Sequence, residues 1–318
     1  MIWLTWRQHR QHLLAGLTLL AALGAAYAAL RGGLVTYVRD SGLSICLAQP
    51  DEGCGHLIDG LREHYPTLLD LLPYLSLVPA LVGVFVGAPM VPRELERGTN
   101  RLVWTQSVGR TRWLLTKLGL LGAASVLFGL GLGVIDRWFL SPYVAGGVVS
   151  PVERNIVGLL DVAPATYCLF AFGLGVAAGG LTRRTLPAMA AALAVFVGVR
   201  LGWESLQYHL FPPLHALVDH SAAVPVGPGR QDWVLPVSPF VSADGTPIDD
   251  TLVARWCGPA PTKQAYQACL VDHGVFSATY WEPASRFWAM QWLDVAVFGA
   301  AAVALLLVGA VLTARRRG

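Results

Sequence analysis

The residues in this sequence whose types and spacing allow chemistry are few. Four cysteines form two local pairs, Cys46 with Cys54 in CLAQPDEGC and Cys257 with Cys269 in CGPAPTKQAYQAC; Cys168 stands inside an apolar run. Neither pair has the CxxC spacing of a zinc or redox site. In an oxidising compartment, pairs so close in sequence suit disulfides, with free or separately buried thiols as the alternative. His209, His215, His220 and His273 match no metal motif, and no helical face unites the first three. The chain has no GxxxxGK[ST] phosphate loop, no HExxH and no GxSxG. Sequence reasoning therefore assigns no catalytic, cofactor-binding or metal-binding residue. Asp136, Asp161 and Asp294 are read as lying near the ends of apolar segments, where they give little support to a proton relay.

The densest charge lies in residues 89–113, PMVPRELERGTNRLVWTQSVGRTRW, which hold five arginines and two glutamates between two apolar runs. PRELERG suits a short helix, with Pro92 in its first turn and Glu94 near its positive end. Glu94 and Arg97 are three apart and can pair. Gly98 breaks the helix, and Leu102, Val103, Trp104 and Val108 then supply an apolar surface. Trp113 and Lys117 are expected as interface anchors. Such an element either obeys the positive-inside rule alone or docks on a soluble partner.

The elements that must position this stretch are membrane spans. Hydrophobic residues make up 54% of the 318-residue chain and charged residues 14%, against about 25% charge in ordinary soluble domains. Mean hydropathy is +0.53. A span needs roughly 20 mostly apolar residues. Segments 13–30, 68–90, 114–135, 159–180, 186–203 and 288–312 qualify, giving an all-α protein with six transmembrane helices. Residues 1–12 read as an interfacial helix. A secretory signal fits them poorly, because two tryptophans precede the first arginine. Arg200, near the end of the fifth span, is expected to snorkel to the headgroups or to pair with Glu204, with a place in a transport path as the alternative.

Alternating sides put 13 basic residues in short segments on one face, against nine in longer loops on the other. That bias places both termini, the loop 91–113 and the tail 313–318 in the cytoplasm. Residues 204–287 become a large extracytoplasmic region of loops and turns flanked by helices. A net charge of +3 is too small to argue for nucleic acid. The pairs Gly83/Gly87, Gly129/Gly133 and Gly175/Gly179 let helices approach closely, within one subunit or between two.

Three stretches, IWLTWRQHR at 2–10, GAPMVPRELERGTNRLVWTQSVGRTRWLLTKLGL at 87–120 and PASRFWAMQWLDVAVF at 283–298, resemble permease subunits of ABC exporters of the type-2 class, especially a group common in high-GC Gram-positive bacteria. The resemblance implies six spans, a cytosolic ATPase partner that binds ATP and magnesium, and a dimeric core of two copies or two related permeases in the lipid. It makes residues 1–12, with Trp3, Trp6, Arg7 and Arg10, an elbow helix. It makes Pro92, Arg93, Glu94, Glu96, Arg97, Gly98, Thr99, Trp104, Thr105, Gln106 and Arg110 the matching part of a coupling loop. The implied function is efflux of an amphipathic substrate such as a drug, antibiotic, lipid or peptide. The long 204–287 region departs from the short re-entrant helices common in these permeases. A non-transporting sensor or scaffold and an intramembrane enzyme are the rival readings.

Overall fold

The computed structural model describes residues 2–42, 45, 57, 60, 72–90, 92, 110–145, 147–218, 228–229, 231–258, 260 and 262–315. The chain forms two compact units. One comprises Met1–Tyr143, Arg154–Ser205 and Trp288–Gly318; the other comprises Val144–Glu153 and Leu206–Phe287.

The first unit is helical. Helix α1 runs through Ile2–Asp40 and α3 through Arg110–Ala145. Helix α4 spans Ala163–Thr182, α5 Thr185–Leu210 and α8 Phe287–Arg315. Among the described residues, five segments are long and apolar enough to cross a membrane: Leu13–Asp40, Leu114–Ala145, Ala163–Thr182, Thr185–Gln207 and Ala284–Thr313. The chain is thus a multi-pass helical membrane protein. The second expected span differs. Apolar helix covers Leu72–Gly87, shorter than the other segments, and it is broken. Turns at Ser76 and Leu77 lead into α2, Val78–Val82, and then into a π-helical segment, Gly83–Gly87. Pro79 lacks the N–H that a continuous helix would donate to Leu75, which explains the interruption.

One helix runs uninterrupted from Ile2 to Asp40, and its membrane-length apolar part begins at Leu13. Nothing around Gln11–Leu14 breaks a helix: there is neither glycine nor proline. The third span was expected to end at residue 135, yet α3 continues to Ala145 with Pro142 inside it. Asp136 therefore sits within a helix rather than at its end.

Helix α4 is the most buried of the spans, and glycines explain how its neighbours come so close. A Cβ at Gly83 would lie 2.5 Å from the Ala171 carbonyl oxygen, and one at Gly87 would lie 2.5 Å from that of Phe172. One at Gly175 would overlap the carbonyl of Gly83, one at Gly129 would meet the backbone of Ala165, and one at Gly133 would overlap that of Asp161. All these contacts lie inside one chain, so these glycines serve packing within the subunit. Arg183, in the left-handed region at φ 56°, ends α4 by donating its N–H to Gly179 at 3.1 Å. Lys117, expected as an interface anchor, is instead 2% exposed.

The second unit contains strands that the loop reading of 204–287 did not anticipate. Strand β4, Phe276–Glu282, pairs antiparallel with β1, Leu214–Val218, in the register Leu214↔Trp281 to Val218↔Ser277. It also pairs with the two-residue strands β2, Trp233–Val234, and β3, Phe240–Val241. Helices α6, Asp250–Cys257, and α7, Lys263–Asp272, are each capped by a side chain. Asp249 accepts from Thr251 N–H at 2.8 Å and Thr262 from Ala265 N–H at 3.1 Å. A small core of Val253, Cys257, Leu270 and Val275 lies between them, crossed by the Cys257–Cys269 disulfide. The Ser150 hydroxyl donates to the Gln231 carbonyl at 2.7 Å, tying Val144–Glu153 into this unit. Burial pushes the Glu282 carboxyl up, and Arg286, donating to it at 3.0 Å, pulls it partly back.

Candidate functional site

Three helices of the first unit converge on Asp294. This residue stands on α8 within the apolar run FWAMQWLDVAVFGA and is fully buried. Water is absent from such a place, so each of its oxygens needs a donor from protein. The Tyr167 hydroxyl, from α4, donates to one oxygen at 2.6 Å. The Trp203 indole N–H, from α5, donates to the other at 2.7 Å. One turn earlier on α8, Gln291 is also fully buried. Its amide donates to the Val157 carbonyl at 2.7 Å and accepts from the Ala163 N–H at 3.0 Å. Ala163 opens α4, where the first N–H groups lack intrahelical acceptors, so Gln291 completes that end.

Arg200 of α5 joins the same cluster. Its guanidinium lies over the Tyr167 ring, 4.2 Å from the centroid, and donates to Glu204 at 3.0 Å. The i,i+4 pairing expected with Glu204 is present, but Arg200 is 4% exposed and so does not reach out to headgroups. Gly158 makes room for it: a Cβ there would lie 2.9 Å from Arg200 Nη2. Below the polar groups, Phe298 receives the edges of Tyr167, Trp203 and Phe170 at centroid distances of 4.8, 5.5 and 5.2 Å.

With both carboxylate oxygens occupied, Asp294 is a positioning group rather than a base. Hydrogen bonds to a charged group contribute about 1.5–3 kcal/mol each, so the cluster fixes one packing of α4, α5 and α8. Sequence reading passed over it by placing Asp294 near a span end. The signal was a lone carboxylate three residues after a glutamine in an apolar run, both on one helical face.

The residues singled out by the sequence fare differently. Pro92 is described and buried. Arg93, Glu94, Glu96, Arg97, Gly98, Thr99, Trp104, Thr105 and Gln106 lie outside the described residues, and so do Cys46 and Cys54. Arg110 is the first residue of α3. Trp3, Trp6 and Arg7 belong to α1, and Arg10 on the same helix is exposed. Cys257 and Cys269 are bonded. Among the described residues, Cys257, Cys269 and His273 bring three potential metal ligands within 4.8 Å. The sulfurs are spent on each other, and the His273 ring nitrogen is 2.9 Å from the Cys269 carbonyl.

A bundle of long apolar helices locked around buried polar groups defines a multi-pass membrane protein. Residues 17–207 match the family described as ABC-2 membrane transporter related, and the chain belongs to that family. Comparison with curated proteins and with solved structures gives no match.

Proposed function

We propose that this chain is the membrane-spanning permease subunit of an ATP-driven exporter in a bacterial plasma membrane. The observation that carries the reading is the family match over residues 17–207, which includes the charged stretch 91–113. In this reading a separate cytosolic ATPase binds ATP and magnesium, and closure of its subunits is passed into the permease through Pro92, Arg93, Glu94, Glu96, Arg97, Gly98, Thr99, Trp104, Thr105, Gln106 and Arg110. Both termini are cytoplasmic. The broken segment around Leu72–Gly87 completes a set of six spans, and the first turns of α1, with Trp3, Trp6, Arg7 and Arg10, lie at the interface. The region 204–287 is extracytoplasmic, in keeping with its disulfide. A second permease, identical or related, completes the pathway for an amphipathic substrate.

The folded, disulfide-closed unit of Leu206–Phe287 favours one second reading, a non-transporting sensor whose ligand binds there. Purification of the full-length chain from its host membranes distinguishes the two. A phosphate-loop ATPase retained in stoichiometric amount supports the exporter; a chain that carries no ATPase through mild detergent supports the sensor.

A further inference from the structure

Among the described residues, Asp136, on α3, is the other carboxylate buried in the helical unit. It is 4% exposed, and its Oδ1 has no hydrogen-bond partner. The neighbouring charges are engaged elsewhere. Arg137 donates to Asp161 at 2.7 Å, and Arg31 is held by the Trp138 carbonyl and the Ser141 hydroxyl. The Tyr167 cluster uses Arg200. The Tyr27 hydroxyl of α1 faces Asp136 and interacts with the carboxylate, but leaves Oδ1 without a hydrogen-bond partner. An ionised carboxylate left this way costs several kcal/mol.

The same carboxylate lines a small pocket formed with Leu75, Ser76, Pro79, Leu132 and Gly158, where it is the only charged residue. There is room for about one water-sized occupant. Its lining is mostly apolar, and the polar side chains it includes, Asp136 and Ser76, both carry oxygen. Ser76 donates its own hydroxyl proton to the Pro73 carbonyl at 2.6 Å, so the oxygen's lone pairs remain available. Pro79 offers no N–H to the Leu75 carbonyl one turn earlier. Interrupted helices in membrane proteins use such carbonyls to hold cations. Oxygen donors with a single negative charge suit a monovalent ion; calcium and magnesium call for a larger set of oxygen ligands, and softer metals for nitrogen or sulfur.

We propose that the pocket of Asp136, Ser76 and the broken helix around Pro79 is a binding site for one monovalent cation, an alkali ion or a proton, that neutralises Asp136. The occupant bridges α1, α3 and the interrupted segment 72–90. This site is independent of the ATPase partnership, and its test needs only the permease chain.

The full-length protein in nanodiscs is assayed for binding of radiolabelled sodium and for thermal unfolding in sodium chloride against choline chloride. Both are run at acidic and alkaline pH, for the wild type and for Asp136→Asn. If sodium is the occupant, binding is saturable, weakens at least about tenfold in Asp136→Asn, and raises the wild-type midpoint by about 3 °C at saturation. If the proton is the occupant, sodium has no effect. Wild-type stability then depends on pH, while Asp136→Asn stays flat. Modification of Asp136 by a hydrophobic carbodiimide, read by mass spectrometry in the wild-type chain, gives an answer that needs no variant: sodium or alkaline pH slows it. Wild type and Asp136→Asn that respond identically to sodium and to pH, or modification unaffected by either, would overturn the proposal.

Discussion

Asp294 and Asp136 are both buried carboxylates on long apolar helices, and they are treated in opposite ways. Asp294 receives two donors from two other helices, Tyr167 at 2.6 Å and Trp203 at 2.7 Å. Asp136 has an oxygen with no partner and faces a pocket. A satisfied buried carboxylate fixes packing; an unsatisfied one is a place for something to bind. The difference separates a site that fixes helix packing from the site proposed to accept an occupant.

The largest expected break in that contrast is Asp294→Ala. It leaves the Tyr167 hydroxyl and the Trp203 N–H buried without acceptors, and should cost about 3–5 kcal/mol, read as unfolding of the full-length chain in denaturant. Tyr167→Phe removes one donor to the same carboxylate and should cost about 2 kcal/mol. Asp136→Asn removes an uncompensated charge with almost no change of shape. In choline chloride at neutral pH it should shift stability by less than about 1 kcal/mol, or raise it. A loss at Asp136 as large as that at Asp294 would show that the two sites are alike and dissolve the comparison.

The sequence made some of this legible. Hydropathy located the long helices, and local spacing located the Arg200–Glu204 pair and the Cys257–Cys269 bridge. It placed the helix ends poorly, because α3 continues past Asp136 and Arg137 into a second apolar stretch that ends at Ala145, and Asp136 falls inside the helix. The Asp294 cluster was hidden for another reason. Its partners stand 127 and 91 residues away, and no local pattern records that Tyr167 and Trp203 face the same carboxylate. Strands β2 and β3, two residues each, are too short to leave an alternating pattern. Gly83 and Gly175 announced close packing by their spacing, but only the folded chain shows Gly83 against the backbone of Ala171 and Gly175 against that of Gly83.

In the exporter reading proposed above, motion of an ATPase enters this chain through the stretch 91–113. The most direct measurement is ATP hydrolysis by the partner ATPase reconstituted with the full-length permease, carrying Arg97→Glu or Glu94→Arg. Either charge reversal is expected to lower permease-stimulated hydrolysis to the level of the ATPase alone, while the chain still folds and inserts. Assembly and stimulated hydrolysis unchanged in both variants would contradict it.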